Sequence, residues 1–443
     1  MPLAPLGTHV RARPLPGDDP TCGWHRLLPP PAPARRVSGE MRADAAVVGA
    51  GFTGLAAARR LAAHEPRARI AVLEAARAGS GASGRNSGFI VDVGHWIEAL
   101  GVEGNARLVR LARAGRDALR QLVREHGIDC AWSEWGRLHG AAGDVGMRAL
   151  EHFCRGLDAL REPYESLDAA MCERVMGTRY YRAAVRTPGT VLVQPAALVR
   201  GLATALPPNV ELFEESPVLG TRLGPPHRLE TAEGAVSAPR LLLATNGYTP
   251  ALGFLARRVV PLLTFASLTR PLTTDEQALV GAGAEWGLVP EERMGSTVRR
   301  TRDQRLLMRN TVRYASALTV GAAVRQEIAG IHRRALAARF PALGGVAIEF
   351  TWGGVMGITL NGAQFFGRIA ENVLASVAYN GVGIAMGTAS GMLLADLAVG
   401  ADSALLRDLQ ALPGPTWIPP EPFLGIGVRA TVARLQGRAG REL

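Results

Sequence analysis

The chain has no lysine. All 50 of its Lys+Arg positions are arginine, and the formal net charge is +11. Such a charge invites a nucleic-acid reading. The arginines, however, are spread along the chain, and the tightest clusters are only "RRTRDQR" and pairs such as "ARR". Alanine and glycine are abundant as well, so the excess reads as a compositional bias on a solvated surface, and no nucleic-acid partner is expected. Cysteine is scarce: Cys22, Cys130, Cys154 and Cys172 are scattered and form no C-x-x-C. That pattern excludes a thiolate metal site and fits a reduced, cytoplasmic protein. Long apolar runs are missing too. The nearest, "VLASVAYNGVGIAMGTASGMLLADLAVG", is broken by glycines, Asn380 and Asp396, so it reads as buried core and no membrane span is expected. The opening "MPLAPLGTHVRARPLPGDDP" contains no apolar segment of signal-peptide length.

What is present is enough for a large core. The 443 residues, 47% of them apolar, suggest two or three structural units, interleaved rather than strung in a row. Residues 1–42, with "LLPPPAPARR", read as an extended proline-rich arm. The first part of a nucleotide domain follows at 43–95, where Ala45 to Val48 form a short strand, Gly49 to Gly54 a turn, "LAAARRLAAHEP" a helix and "RIAVLEA" the next strand. Residues 96–188 read as the first part of a second domain. Within them, Leu108, Leu111, Ala118, Leu119 and Leu122 share one face of a helix that ends at Gly127. The nucleotide domain returns at 189–252, short β-like segments and one helix fill 253–348, and the nucleotide domain closes at 349–410, leaving 411–443 as a tail with a helix. The expected fold class is α/β. One Rossmann-type, three-layer domain is built from discontinuous segments, and an α+β domain of mixed antiparallel sheet and helices is inserted into it.

The strongest local signal is Gly49-x-Gly51-x-x-Gly54, directly after a strand and opening a helix, with Phe52 and Thr53 inside the turn. Glu74, followed by Ala75, ends the next strand about twenty residues on, as the dinucleotide fingerprint requires. Gly49 permits the tight turn, Gly51 lets a pyrophosphate approach backbone N–H groups, and Gly54 lets the helix pack close to the strand. The helix N-terminus adds partial positive charge, and Glu74 would accept from ribose hydroxyls while repelling the extra phosphate of NADP. The fingerprint leaves NAD and FAD both open. A second glycine-rich loop follows soon after, "GSGASGRNSGF", with Gly81, Ala82, Ser83, Arg85, Asn86, Ser87 and Gly88. NAD needs one phosphate loop here, whereas FAD is longer and its ring must be covered by further backbone. Arg85 and Asn86 are placed to reach the pyrophosphate or line one face of the ring.

Taken together, "GAGFTGLAAARRLA…AVLEA…GSGASGRNSG" closely resembles the D-amino-acid-oxidase-like (glycine/sarcosine oxidase) superfamily of FAD enzymes. It looks most like the γ-glutamylputrescine oxidoreductase branch. The resemblance continues through "EESPV", matching an adenine-side segment at Val218, and "APRLLLATNGYTP", matching a flavin-domain strand with Ala244, Thr245 and Asn246. It runs on through "WGGVMGITLNGAQFFGRI", which includes Gly354, and "AYNGVGIAMGTASGMLLADL". In that last segment Gly381, Val382, Gly383, Ile384 and Ala385 form a third loop and open a helix. Its N-terminus would point at the flavin N1/C2=O locus, where negative charge gathers on reduction.

The resemblance implies FAD-dependent oxidation of an amine or amino acid. Hydride passes from the carbon beside nitrogen to flavin N5, and the imine then hydrolyses, with no side-chain base required. Three departures stand out. Ala385 replaces a lysine that grips substrate carboxylate in sarcosine-oxidase-like members. No lysine exists to activate oxygen, so the electron acceptor is oxygen or else a quinone or carrier. No cysteine lies in "WGGVMGIT", so FAD is expected to be noncovalent. Asn361 also replaces the usual aspartate. Candidate substrate contacts are Arg309 and Tyr314 in the inserted domain, Trp352 and Tyr379 as walls, and His95, the one histidine singled out. Competing readings are an NAD-dependent dehydrogenase and a flavin-binding subunit without its own turnover.

Overall fold

The computed structural model describes residues 5–13, 19–315 and 318–443. At its centre is a six-stranded sheet. Strands Val210–Phe213, Ile70–Leu73, Ala45–Val48, Leu241–Leu243 and Val373–Val377 are parallel, and Phe365–Ala370 runs antiparallel at the edge. The six strands come from three distant stretches of the chain, 45–73, 210–243 and 365–377, so the discontinuous Rossmann-type domain read from the sequence is present. Because side chains alternate along a strand, Ala45 and Val47 enter one core and Ala46 and Val48 the other. The first core is roofed by helices Phe52–His64, Pro195–Thr204 and Ala385–Val399. The second is roofed by a five-stranded sheet, which completes three layers.

The proline-rich segment is not a free arm. It gives that five-stranded sheet two strands, His9–Arg11 and Gly39–Arg42, and between them a short helix, Gly23–Arg26, whose Trp24 is buried. The helix Gly101–Glu125, read as part of the inserted domain, turns its Leu111 and Leu119 into the first core. Its apolar stripe is the one the sequence showed, but the surface that covers it is the closing helix Ala385–Val399.

The inserted domain is an eight-stranded mixed sheet in the order Ile348–Ile358, Val260–Thr269, Leu306–Tyr314, Thr297–Arg300, Trp286–Pro290, Arg137–Ala141, Ala183–Thr187, Glu165–Asp168. Its far face is covered by Ala322–Arg339 and Ala169–Met176. Its near face looks at the glycine loops. Among the described residues no single helix is long and apolar enough to cross a membrane.

Close helix contact holds the loops in place. A Cβ on Gly391 would stand 2.2 Å from the Thr53 carbonyl oxygen on the fingerprint helix. Gly391→Ala is therefore expected to lower unfolding stability by about 1–3 kcal/mol, since backbone must move to admit it. Gly330→Ala, whose nearest neighbour would be Arg334 at 3.7 Å, should leave the midpoint unchanged or raise it slightly. Urea denaturation of the two variants checks the contrast.

Candidate active site

The three glycine loops lie together along one end of a cavity of about 1770 Å³, and the near face of the eight-stranded sheet forms its other wall. The first loop is bonded to each of the other two. The Phe52 N–H donates to Ser83 Oγ at 3.1 Å, joining the first loop to the second. Thr53 Oγ1 donates to the Tyr379 hydroxyl at 2.8 Å, joining the first to the third. The Ala378 N–H donates to Asn246 Oδ1 at 2.9 Å, fixing the third to the strand end at 243–246.

Two helix N-termini open on this cavity. Among the described residues nothing accepts from the N–H groups of Thr53 and Gly54, or of Ile384 and Ala385. Neither helix has a side-chain cap. Unsatisfied first-turn donors and the helix dipole make both ends sites for negative charge. Gly49 has φ +103°, and a Cβ on Gly54 would lie 1.8 Å from the Gly49 carbonyl oxygen, so this turn admits no side chain. Glu74 closes the far end. Its carboxylate accepts from Ala50 N–H at 2.8 Å and Ala76 N–H at 3.1 Å, with lone pairs left over for further donors. Burial raises its pKa, and the Ala50, Ala76 and Ala75 N–H groups oppose the rise. The donor set, the acceptor and the glycine cradle all fit an extended dinucleotide.

Most residues read from the sequence line this cavity: Gly49, Gly51, Phe52, Thr53, Glu74 and Ala75; Gly81 to Ser83 and Arg85 to Ser87; Val218 and Ala244 to Asn246; Gly354 and Gly381 to Ile384; and His95, Arg309 and Tyr379. Gly54, Gly88 and Ala385 stand just behind it, as packing partners of the loops. Two expectations are corrected, at Trp352 and Tyr314, and at Arg85 and Asn86 only the reach toward a pyrophosphate is, since both still line the cavity. The Arg85 guanidinium does not reach toward a pyrophosphate, because it is used on Ser80 O at 2.6 Å, Asp19 O at 2.6 Å, Asp19 Oδ2 at 3.2 Å and Gly353 O at 3.2 Å. Asn86 folds back onto its own loop, donating to Ala82 O at 3.1 Å and Ser83 O at 2.8 Å. Trp352 is fully buried behind the loop, edge-on to Trp24, and does not line this cavity. Tyr314 faces the C-terminal segment instead, where its hydroxyl bonds Glu421, just ahead of the helix Phe423–Ala439, and its ring lies under Arg429 of that helix at 5.4 Å.

Arg309 is different. It lies opposite Ala266 and Thr297 on the near face of the sheet and lines the cavity. Among the described residues it has no hydrogen-bond or ion-pair partner, and burial alone lowers its pKa. Several lining residues had gone unnoticed in the sequence. Tyr248 belongs to the same "ATNGYT" stretch as three residues already named. Burial pushes its hydroxyl up to about 12, with Arg85 opposing. Leu424 and Val428 come from the C-terminal helix and join Leu262 and Val312 in one cluster. Nothing short of the tertiary fold announces them.

Residues 44–397 match the family model described as FAD dependent oxidoreductase, DAO. The chain belongs to that family and is an FAD-dependent oxidoreductase. This decides between the two dinucleotides that the fingerprint leaves open. Its relatives include a probable oxidoreductase OrdL of Rhizobium meliloti (strain 1021), 30% identical over 420 residues, covering 90% of this chain and 94% of that protein. Gamma-glutamylputrescine oxidoreductase of Escherichia coli (strain K12) is 28% identical over 377 residues, 83% of this chain and 86% of that protein. Among solved structures, glycine oxidase from Geobacillus kaustophilus has the same fold with TM-score 0.69 at 22% identity, covering 82% of this chain and 96% of that one.

Two buried histidines stay neutral in the fold. Burial lowers His139 to about 4, helped by Arg137 and opposed by Glu291, and burial lowers His332 to about 3. Both folded values lie below the ordinary 6.5, so the unfolded chain takes up protons that the folded chain refuses. Stability should hold above pH 6.5 and fall as pH drops toward 4, by up to about 1.4 kcal/mol per pH unit for each histidine. Urea midpoints across this range check it, and the fall should be shallower in His332→Leu.

Proposed function

We propose that the chain oxidises a C–N bond of an amine or amino acid, with FAD held noncovalently across the three loops. Bound FAD would supply the hydride acceptor, and the imine product would hydrolyse. The N–H groups of Thr53 and Gly54 would face the diphosphate, Glu74 the ribose hydroxyls and Val218 the adenine side. The second loop and Gly354 would cover the ring. The N–H groups at Ile384 and Ala385 would stabilise negative charge at its far end. None of the four cysteines lines the cavity, which supports noncovalent binding.

Arg309 carries the reading. A guanidinium on the cavity wall with no acid to pair with among the described residues is a fork held ready for a carboxylate. The names of the relatives, with γ-glutamylputrescine and glycine as substrates, agree with a small amine bearing such a group.

The test is anaerobic bleaching of the flavin by glycine, sarcosine, D-alanine, γ-aminobutyrate and putrescine. At least one carboxylated amine is expected to bleach it, and bleaching by none would sink the reading. Arg309→Ala should raise the KM of that substrate by about 10- to 100-fold, the loss of one charge-assisted contact. Tyr314→Phe should leave the KM unchanged.

A further inference from the structure

Glu291 follows the strand Trp286–Pro290 and is buried, at 8% exposure. Its two oxygens are divided between two imidazoles: Oε1 bonds His139 Nδ1, and Oε2 bonds His95 Nδ1 at 2.9 Å. The partners fix the tautomers. Arg137 Nε–H donates to His139 Nε2 at 3.2 Å, so that nitrogen holds a lone pair and Nδ1 holds the proton. Burial raises the Glu291 carboxyl, but His95 and His139 outweigh it and hold it well below the usual range. An ionised carboxylate only accepts, so His95 also carries its proton on Nδ1. With Nδ1 turned to the carboxylate, Nε2 is the ring nitrogen that carries the open lone pair whenever His95 is neutral. It has no partner among the described residues, and the ring lines the cavity with its side chain 35% exposed.

This nitrogen belongs to the site already described. A Cβ on the neighbouring Gly94 would stand 3.9 Å from Val382 of the third loop. Arg309 lies opposite Thr297, Leu288 opposite Val298 and Val289 opposite His139, so Arg309 and His139 are level on one face of the sheet. Three strand steps separate them, about 14 Å between backbones. Among the described residues, the other titratable and charged groups around the cluster include Arg137, Asp92 and Cys154, and Arg293 lines the same cavity.

We propose that His95 is the proton acceptor of the site, with Glu291 and His139 as its positioning residues. The proposal rests on the reading that the substrate is an amine. Such a substrate arrives as its ammonium, and the nitrogen must lose a proton before its lone pair can assist departure of hydride. In this step the substrate N–H bond breaks, the His95 Nε2–H bond forms, and the electron pair stays on the substrate nitrogen. Nothing is oxidised or reduced. Glu291 stabilises the imidazolium so formed, as a carboxylate behind a histidine does, and the proton later passes to water at the cavity mouth.

The test uses the holoenzyme and whichever of the five amines above bleaches the wild type fastest, mixed anaerobically from pH 6 to about 10. His95→Gln is expected to bleach about 10²-fold more slowly at pH 7. It should recover to within about tenfold of wild type near pH 10, where the substrate is already free amine. Glu291→Gln should show a smaller loss with the same alkaline recovery. A His95→Gln enzyme with the wild-type profile, or one equally slow at every pH, overturns the proposal and leaves amine oxidation standing. Failure of every amine to bleach the wild type overturns both. Retained yellow colour and an unchanged unfolding midpoint report that the variant folds. Independently of turnover, ¹⁵N spectra of histidine-labelled wild type should show His95 protonated at Nδ1, and protonation at Nε2 alone would refute the assignment.

Discussion

The second glycine loop is a run of polar backbone buried between two domains, and every one of its carbonyls has to find a donor there. Four successive ones find buried side chains. Arg85 O accepts from Trp352 Nε1 at 2.9 Å, Asn86 O from Trp24 Nε1 at 2.8 Å, and Ser87 O and Gly88 O both from Arg299 at 3.2 Å. Two of the three donors, Arg299 and Trp352, come from the inserted sheet, and the third, Trp24, from the N-terminal segment. This interaction seats the inserted domain on the Rossmann-type domain. It also turns the carbonyl edge of the loop away from the cavity.

The same chemistry recurs wherever loops are gathered. In a chain without lysine, the planar, five-donor guanidinium is the group that collects carbonyls. Arg299 also reaches Val193 O at 2.6 Å, and burial lowers it to about 10. Arg85 ties its own loop to Gly353 and the N-terminal segment, and Arg300 reaches Gly281 O at 3.0 Å and Gly283 O at 2.6 Å. Against this background a buried arginine is ordinarily a structural clamp. Arg309 is set apart because, among the described residues, its guanidinium has nothing to clamp.

The same distinction separates two kinds of histidine. His332 has Ser267 against Nδ1 at 2.7 Å and lies in the packed face of the inserted sheet, away from the cavity. His95 is held by a carboxylate on one nitrogen and, among the described residues, is open on the other. Residue type is identical in the two positions, and only the partners differ.

The sequence by itself determined the parts whose physics is local. Gly49, Gly51 and Gly54 must bring backbone close to backbone, Glu74 must end the adjacent strand, and the apolar stripe of 106–126 must be covered. All of these follow from spacing of a few residues, and the discontinuous α/β fold followed from them. Tertiary structure decided what depends on partners far along the chain. Arg85 could not be known as a clamp until Asp19 and Gly353 were beside it, nor Trp352 as a support until it met the Arg85 carbonyl. Tyr314 was removed from the site by a helix more than a hundred residues later. The proton on His95 was assigned by Glu291, 196 residues away. A hydrogen bond's donor and acceptor are fixed by what faces them, and sequence spacing carries no information about a face assembled from distant strands.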